Sequence, residues 1–136
     1  MTVTLVDSNV LLDIATEDPK WSGWSEQALV DAADDGQLAI NPIIYAEVSV
    51  GFSTIEDLDD AIPQETFARM PLPFEAGFLA GKAFRNYRRR GGAKSTPLPD
   101  FYIGAHAAIA GYRLLTRDSA RYHTYFPRLD IIAATD

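Results

Sequence analysis

The chain opens on Val3-Thr-Leu-Val6, an aliphatic and β-branched run bounded at once by Asp7-Ser8-Asn9. Such a run predicts a short buried strand, and the polar triplet predicts a helix start directly behind it, continuing from Val10 to about Ala15. Trp21-Ser-Gly-Trp-Ser25 reads as a loop leading into a second helix, with Ser25 as cap, Glu26 to Ala33 as body and Gly36 as the closing residue. Leu38-Ala-Ile40 predicts a second strand. Asn41-Pro42 then starts a helix over residues 43–51 that is apolar on nearly every side except at Glu47. Thr54 to Ala61 predicts an acidic helix, and Pro71 and Pro73 mark a linker. From Phe74 a longer helix carries Phe78, Ala80, Ala83, Phe84 and Tyr87 at helical spacing towards Gly91-Gly92. Pro97-Leu-Pro99-Asp100 opens an alanine-rich helix over residues 101–110 that Gly111 ends. Tyr112 to Thr116 and Leu129 to Ala133 supply two further strands. This order predicts an α/β fold, a three-layer α/β/α sandwich on a mainly parallel central sheet, with residues 1–136 as a single domain.

Composition narrows the chemistry. At 136 residues and 47% hydrophobic content the chain can build one real core. It has no run of about 18 apolar residues and its start lacks the pattern of a signal peptide, so a cytoplasmic protein with no membrane partner is expected. With no cysteine and two histidines, disulfides, thiolate zinc sites and a histidine-rich metal site are set aside, and any metal would be bound by oxygen. His106, in the alanine-rich helix, reads as a packed or supporting histidine, and His123 as structural or exposed. Trp21 and Trp24 read as packing or an oligomer contact.

The net charge of −7 argues against a phosphate-rich partner until its distribution is considered. Residues 1–81 hold 15 acids and 2 bases, whereas residues 82–136 hold 4 acids and 10 bases. Six of those bases, Lys82, Arg85, Arg88, Arg89, Arg90 and Lys94, follow one another with no acid between them. They fit either a phosphate-gripping arm or a cationic helix end with a loop. Gly91-Gly-Ala-Lys94-Ser95 is not a P-loop, because Ala93 stands before the lysine and no strand feeds it.

Asp7 taken alone reads as a helix cap. In an open parallel sheet, however, ligands bind beyond the carboxyl ends of the strands. Asp7 and Asp118 would leave two strand ends there, while Glu47 and Asp100 approach from flanking helices. Four converging carboxylates would repel one another unless hard cations intervened, and Mg²⁺ or Mn²⁺ takes oxygen ligands and can hold a phosphate. The cap role would then pass to Ser8 or Asn9.

Four motifs in this order, Val6-Asp7-Ser8-Asn9-Val10-Leu-Leu-Asp13, Tyr45-Ala-Glu47-Val, Pro99-Asp100-Phe-Tyr-Ile-Gly-Ala-His106-Ala and Leu115-Thr116-Arg117-Asp118, resemble the PIN-domain endoribonucleases, in particular the VapC-type toxins of toxin-antitoxin pairs. The resemblance covers essentially the whole chain. It implies that Asp7, Glu47, Asp100 and Asp118 are catalytic acids holding one or two Mg²⁺ or Mn²⁺ ions, with Ser8, Asn9 and Thr116 supporting them. Ser8 stands where the family commonly has threonine, which preserves a hydroxyl, and Asp13 reads as a helix-face residue of little weight. The implied reaction is hydrolysis of phosphodiester bonds in tRNA or another structured RNA, with the bases from Lys82 to Lys94 as an RNA track. The implied partners are a VapB-like antitoxin and a second copy of the chain. Two other readings stand beside this one: a structure-specific DNA nuclease, and an idle PIN-like domain that only binds RNA or a partner. A phosphatase is disfavoured, because no second acid lies two residues after Asp7.

Overall fold

The apolar run at the start of the chain becomes the middle of a sheet. The structure, a computed structural model, describes residues 2–95 and 98–134. β1 (Thr2–Val6) leads into α1 (Ser8–Ala15) and α2 (Ser22–Asp35), and β2 (Gly36–Ile40) into α3 (Pro42–Ser49) and α4 (Ile55–Ala61). β3 (Phe67–Arg69) is followed by α5 (Phe74–Arg89) and α6 (Pro99–Ala110), then β4 (Arg113–Thr116), α7 (Ala120–Tyr125) and β5 (Ile131–Ala133).

The five strands are all parallel in the order β3-β2-β1-β4-β5. A parallel sheet is covered on both faces, so its strands carry continuous apolar runs. Leu5 and Val6, Leu38 to Ile40, and Leu114 with Leu115 are accordingly buried. The register sets Leu5 between Ala39 and Leu114. From β1 the chain moves outward through β2 to β3 and then returns past β1 to β4 and β5. Crossovers between parallel strands are right-handed as a rule, so reversing direction carries the helices to the opposite face; α1 packs against α2 and α3, and α6 against α5 and α7. The reversal opens a crevice at the carboxyl ends of β1 and β4, where such sheets bind ligands.

Two glycines permit close approaches. A Cβ on Gly36, where β2 starts, would overlap the Thr2 carbonyl of the neighbouring strand. A Cβ on Gly104 of α6 would lie 2.5 Å from the Phe126 ring and 3.1 Å from the ring of Tyr122, so glycine lets α7 settle on α6. Gly111 closes α6 in the left-handed region (φ 72°), as the pattern predicts.

The structure departs from the sequence reading at three places. The expected loop over residues 21–25 is largely helical. Asp18 accepts from Lys20 N (2.9 Å) and Trp21 N (2.9 Å), turning the chain so that α2 begins at Ser22. Ser25 is consequently no cap: it is 0% exposed inside the helix, and its hydroxyl donates to Asp13 Oδ2 at 3.0 Å. β3 falls just before the linker at Pro71 and Pro73, in a stretch for which the sequence predicted no element, and α7 forms around His123, where the sequence predicted none. Pro97 lies outside the described residues, and α6 starts at Pro99. No helix among the described residues is long and apolar enough to cross a membrane.

Candidate functional site

Asp7 continues the ladder for one residue beyond β1, its N–H donating to the Leu115 carbonyl at 2.8 Å. That bond sets its carboxylate beside Thr116 at the end of β4. Oδ1 accepts from Ser8 N (2.8 Å), while Oδ2 accepts from Thr116 Oγ1 (2.9 Å) and from the Tyr122 hydroxyl (2.8 Å). The side chain is 3% exposed. Asp7 therefore is the cap of α1, and the expectation that Ser8 or Asn9 takes that role is corrected. A carboxylate has two oxygens and about four lone-pair sites, so one oxygen caps while the other joins the site.

Asp100 sits in the first turn of α6, where the helix end favours an anion. Its Oδ1 is 3.3 Å from the same Tyr122 hydroxyl, and its Oδ2 accepts from Arg121 at 3.1 Å. Glu47, half-buried on α3, reaches the cluster through Ser8, whose hydroxyl donates to Oε1 at 2.9 Å. Burial pushes the Asp7 carboxyl above the usual carboxylate range, the negative charge of Asp100 adds to this, and the Tyr122, Thr116 and Ser8 bonds oppose it. Burial also raises Glu47, with smaller upward contributions from Asp7 and Asp100 and an opposing one from the Ser8 bond. Asp7 thus feels the charge of Asp100, and Glu47 that of both.

Asp118 is placed differently. Its backbone N–H and carbonyl meet Thr116 Oγ1 at 3.2 and 3.3 Å, but its exposed carboxylate turns to the start of α7, accepting from Ala120 N at 3.4 Å. In this arrangement no group of three acids or histidines among the described residues is set to hold a metal ion.

Asn9 and Thr116 form the frame beneath Asp7. Asn9 Nδ2 donates to Thr116 Oγ1 (3.1 Å), and Asn9 Oδ1 accepts from Arg117 N (3.1 Å). Thr116 Oγ1 accepts from both Asn9 and Asp118 N and gives its own proton to Asp7. His106 is buried away from the acids, its Nδ1 3.0 Å from Asn41 Nδ2. Asn41 Oδ1 already accepts from Ile44 N at 2.9 Å, so its amide nitrogen is the donor and the His106 proton sits on Nε2. Burial lowers the pKa of this imidazole, consistent with a neutral packed ring.

The bases are all exposed: Lys82, Arg85, Arg88 and Arg89 on α5, then Arg90 and Lys94 beyond it. Arg88 Nη1 donates to the Lys94 carbonyl at 2.7 Å, folding the loop back on the helix. Tyr87 packs edge-on against Phe101, next to Asp100, with ring centroids 5.6 Å apart. The arm is thereby tied to the start of α6.

Sequence reasoning missed Tyr122, Arg121 and the role of Asp13. Asp13 is buried, accepting from Arg117 Nε (2.8 Å) and Nη2 (2.9 Å) as well as from Ser25. A helix assigned from Ala120 onward would have placed Tyr122 near Asp118, but nothing local names its partners.

The PIN domain family model matches residues 4–127. Among solved structures, VapBC2 from Rickettsia felis bound to a DNA fragment from its promoter superposes with a TM-score of 0.74 at 16% identity, covering 98% of this chain and 100% of the other. VapBC-1 from nontypeable Haemophilus influenzae gives 0.72 at 15% identity, covering 97% and 98%. A toxin-antitoxin complex from Klebsiella pneumoniae gives 0.67 at 22% identity, covering 95% of each chain. No curated protein matches the sequence.

Proposed function

Starting from a chain that belongs to the PIN-domain family, we propose that it is the toxin of a VapC-type toxin-antitoxin pair and acts as a Mg²⁺- or Mn²⁺-dependent endoribonuclease on tRNA or another structured RNA. The observation that carries this is the buried Asp7 carboxylate, wired to Asp100 through Tyr122 and to Glu47 through Ser8 at the carboxyl edge of the sheet.

The donor set fits a hard cation. All the side chains in question offer carboxylate oxygen, Asp7 and Glu47 are held above the usual carboxylate range by burial and by neighbouring acid charge, and Arg121 pairs with Asp100. Asp7, Glu47, Asp100 and Asp118 would hold one or two ions, Asp118 after turning from the start of α7. A bound cation supplies charge stabilisation for the phosphate as its bond to the 3′-oxygen breaks. Thr116 and Ser8 N hold Asp7 in one orientation, and Asn9 fixes Thr116, so the carboxylate need not reorganise when substrate arrives. Ser8 holds Glu47, and in this reading its carboxylate would accept a proton from the attacking water.

Incubation of the purified chain with a structured RNA pool tests this reading. Cleavage should appear with Mn²⁺ and vanish with excess chelator. Preferential cutting of flap DNA would favour the DNA-nuclease reading, and RNA binding without any cutting would favour the idle domain.

The arm from Lys82 to Lys94 is the proposed RNA track, supported by its exposure and its tie to α6. Replacing Arg88, Arg89 and Arg90 together by Ala should weaken RNA binding and flatten its salt dependence by about 1 in log–log slope for each phosphate no longer neutralised. A slope equal to the parent's removes the assignment. A VapB-like antitoxin is the proposed partner, in keeping with the complexes of its structural neighbours. The side chains of Phe74 and Phe78, 96% and 70% exposed, are apolar surface of the kind that a protein partner or a second copy covers. Action in the cytoplasm is part of the same proposal.

A further inference from the structure

Tyr122 is a large aromatic residue that is only 1% exposed, yet its hydroxyl is not satisfied by an ordinary core acceptor. It stands between two carboxylates, 2.8 Å from Asp7 Oδ2 and 3.3 Å from Asp100 Oδ1. We propose that Tyr122 is a positioning residue for the metal site: its hydroxyl, shared by Asp7 and Asp100, sets the separation and orientation at which the two acids receive a divalent cation. The proposal rests on the metal-nuclease reading above.

Three features of the geometry support this role beyond packing. The phenol has one proton for two negatively charged acceptors, and the shorter bond goes to the more buried acid. Without a donor between them the two carboxylates would be driven apart by their charges. Next, the ring is packed on the side of Gly104 of α6, where a Cβ would lie 3.1 Å from it, and the residue is almost wholly enclosed. Finally, the bond decides which oxygens remain open. With Thr116 and Tyr122 both on Oδ2, Asp7 Oδ1 is the more open oxygen, carrying the Ser8 N bond and a long 3.5 Å contact from Ser8 Oγ, whose shorter bond goes to Glu47. The adjacent Arg121 takes the other oxygen of Asp100, so two consecutive residues of α7 hold both of its oxygens. Arg121 is more exposed than Tyr122 and its pairing is screened by solvent, leaving the phenol as the firmer restraint.

The test is Tyr122→Phe in the full chain, which keeps the ring against Gly104 and removes only the hydroxyl. Mn²⁺ binding is titrated calorimetrically without RNA, the metal-free protein is melted, and cleavage is followed against Mn²⁺ concentration. Expected is a Mn²⁺ dissociation constant raised about tenfold or more, a melting temperature within about 5 °C of the parent, and cleavage recovered at higher Mn²⁺. Mn²⁺ affinity within about twofold of the parent overturns the positioning role while leaving the nuclease reading intact. A parent chain that folds but binds no Mn²⁺ overturns both. Should the variant be unfolded at the assay temperature, parent and variant are both titrated in the cold with a stabilising osmolyte, and the same affinity criterion applies.

Discussion

Asp7→Asn leaves a folded protein that no longer cleaves RNA, with activity reduced by about a thousandfold or more. The substitution keeps the volume and leaves one oxygen to accept from Thr116 and Tyr122, but it removes the charge at the most buried acid of the site. The amide nitrogen then faces Ser8 N, so one cap bond is lost at about 1 kcal/mol. Relief of a buried negative charge beside Asp100 offsets that loss, so the net change in stability at neutral pH is about 1 kcal/mol or less. The pH dependence has a definite sign. Because folding raises the Asp7 pKa, this group favours the folded state most at pH below the unfolded carboxyl's range, and its contribution falls as pH rises through the folded value. Thermal melts of Asp7→Asn should therefore lose that decline, while a cleavage assay with Mn²⁺ reads the activity. Retention of more than about a tenth of the parent rate would remove Asp7 from the catalytic set.

The largest loss of stability should follow Asp13→Ala, about 2–3 kcal/mol in urea unfolding. Asp13 is buried and serves two partners on different elements, a bidentate Arg117 beyond β4 and Ser25 inside α2. Its removal strands a fully buried hydroxyl and frees the guanidinium that lies over the Trp21 ring, 5.3 Å from its centroid. Arg117 is itself partly exposed, which keeps the cost below that of breaking a fully buried pair. Arg117→Ala should destabilise by a similar amount, and the double variant by clearly less than the sum of the two. Strict additivity would mean that the pair does not couple α1 to the end of β4.

The strands β1, β2 and β4 were legible because buried parallel strands write themselves as short apolar runs ended by turn or cap residues. Leu38 to Ile40 followed by Asn41-Pro42 is such a case, and Asn41 does cap α3, its Oδ1 accepting from Ile44 N. β3 has only three residues at a sheet edge, with no alternation to reveal it, so it was hidden. Of the candidate site, the acids stood out through their places at element ends and through the family resemblance. The bonds among them did not, because Tyr122 meets Asp7 across 115 positions and Arg117 meets Asp13 across 104. Asp13 illustrates the limit: on its own helix it resembles a surface acid, and only the return of the chain along β4 makes it a buried anchor.

The place of β1 in the middle of the sheet bears on how the protein comes into being. β1 is made before both of its neighbours and can pair with β2 early, but its other edge stays open until β4 is made. Thr116 and Tyr122, which hold the inner oxygen of Asp7, arrive later still. A nascent chain stopped before Tyr122 therefore carries all four acids, Asp7, Glu47, Asp100 and Asp118, without the hydroxyl that joins Asp7 to Asp100. The contact between Asp7 and Asp100 through Tyr122 therefore forms only once synthesis has passed α7.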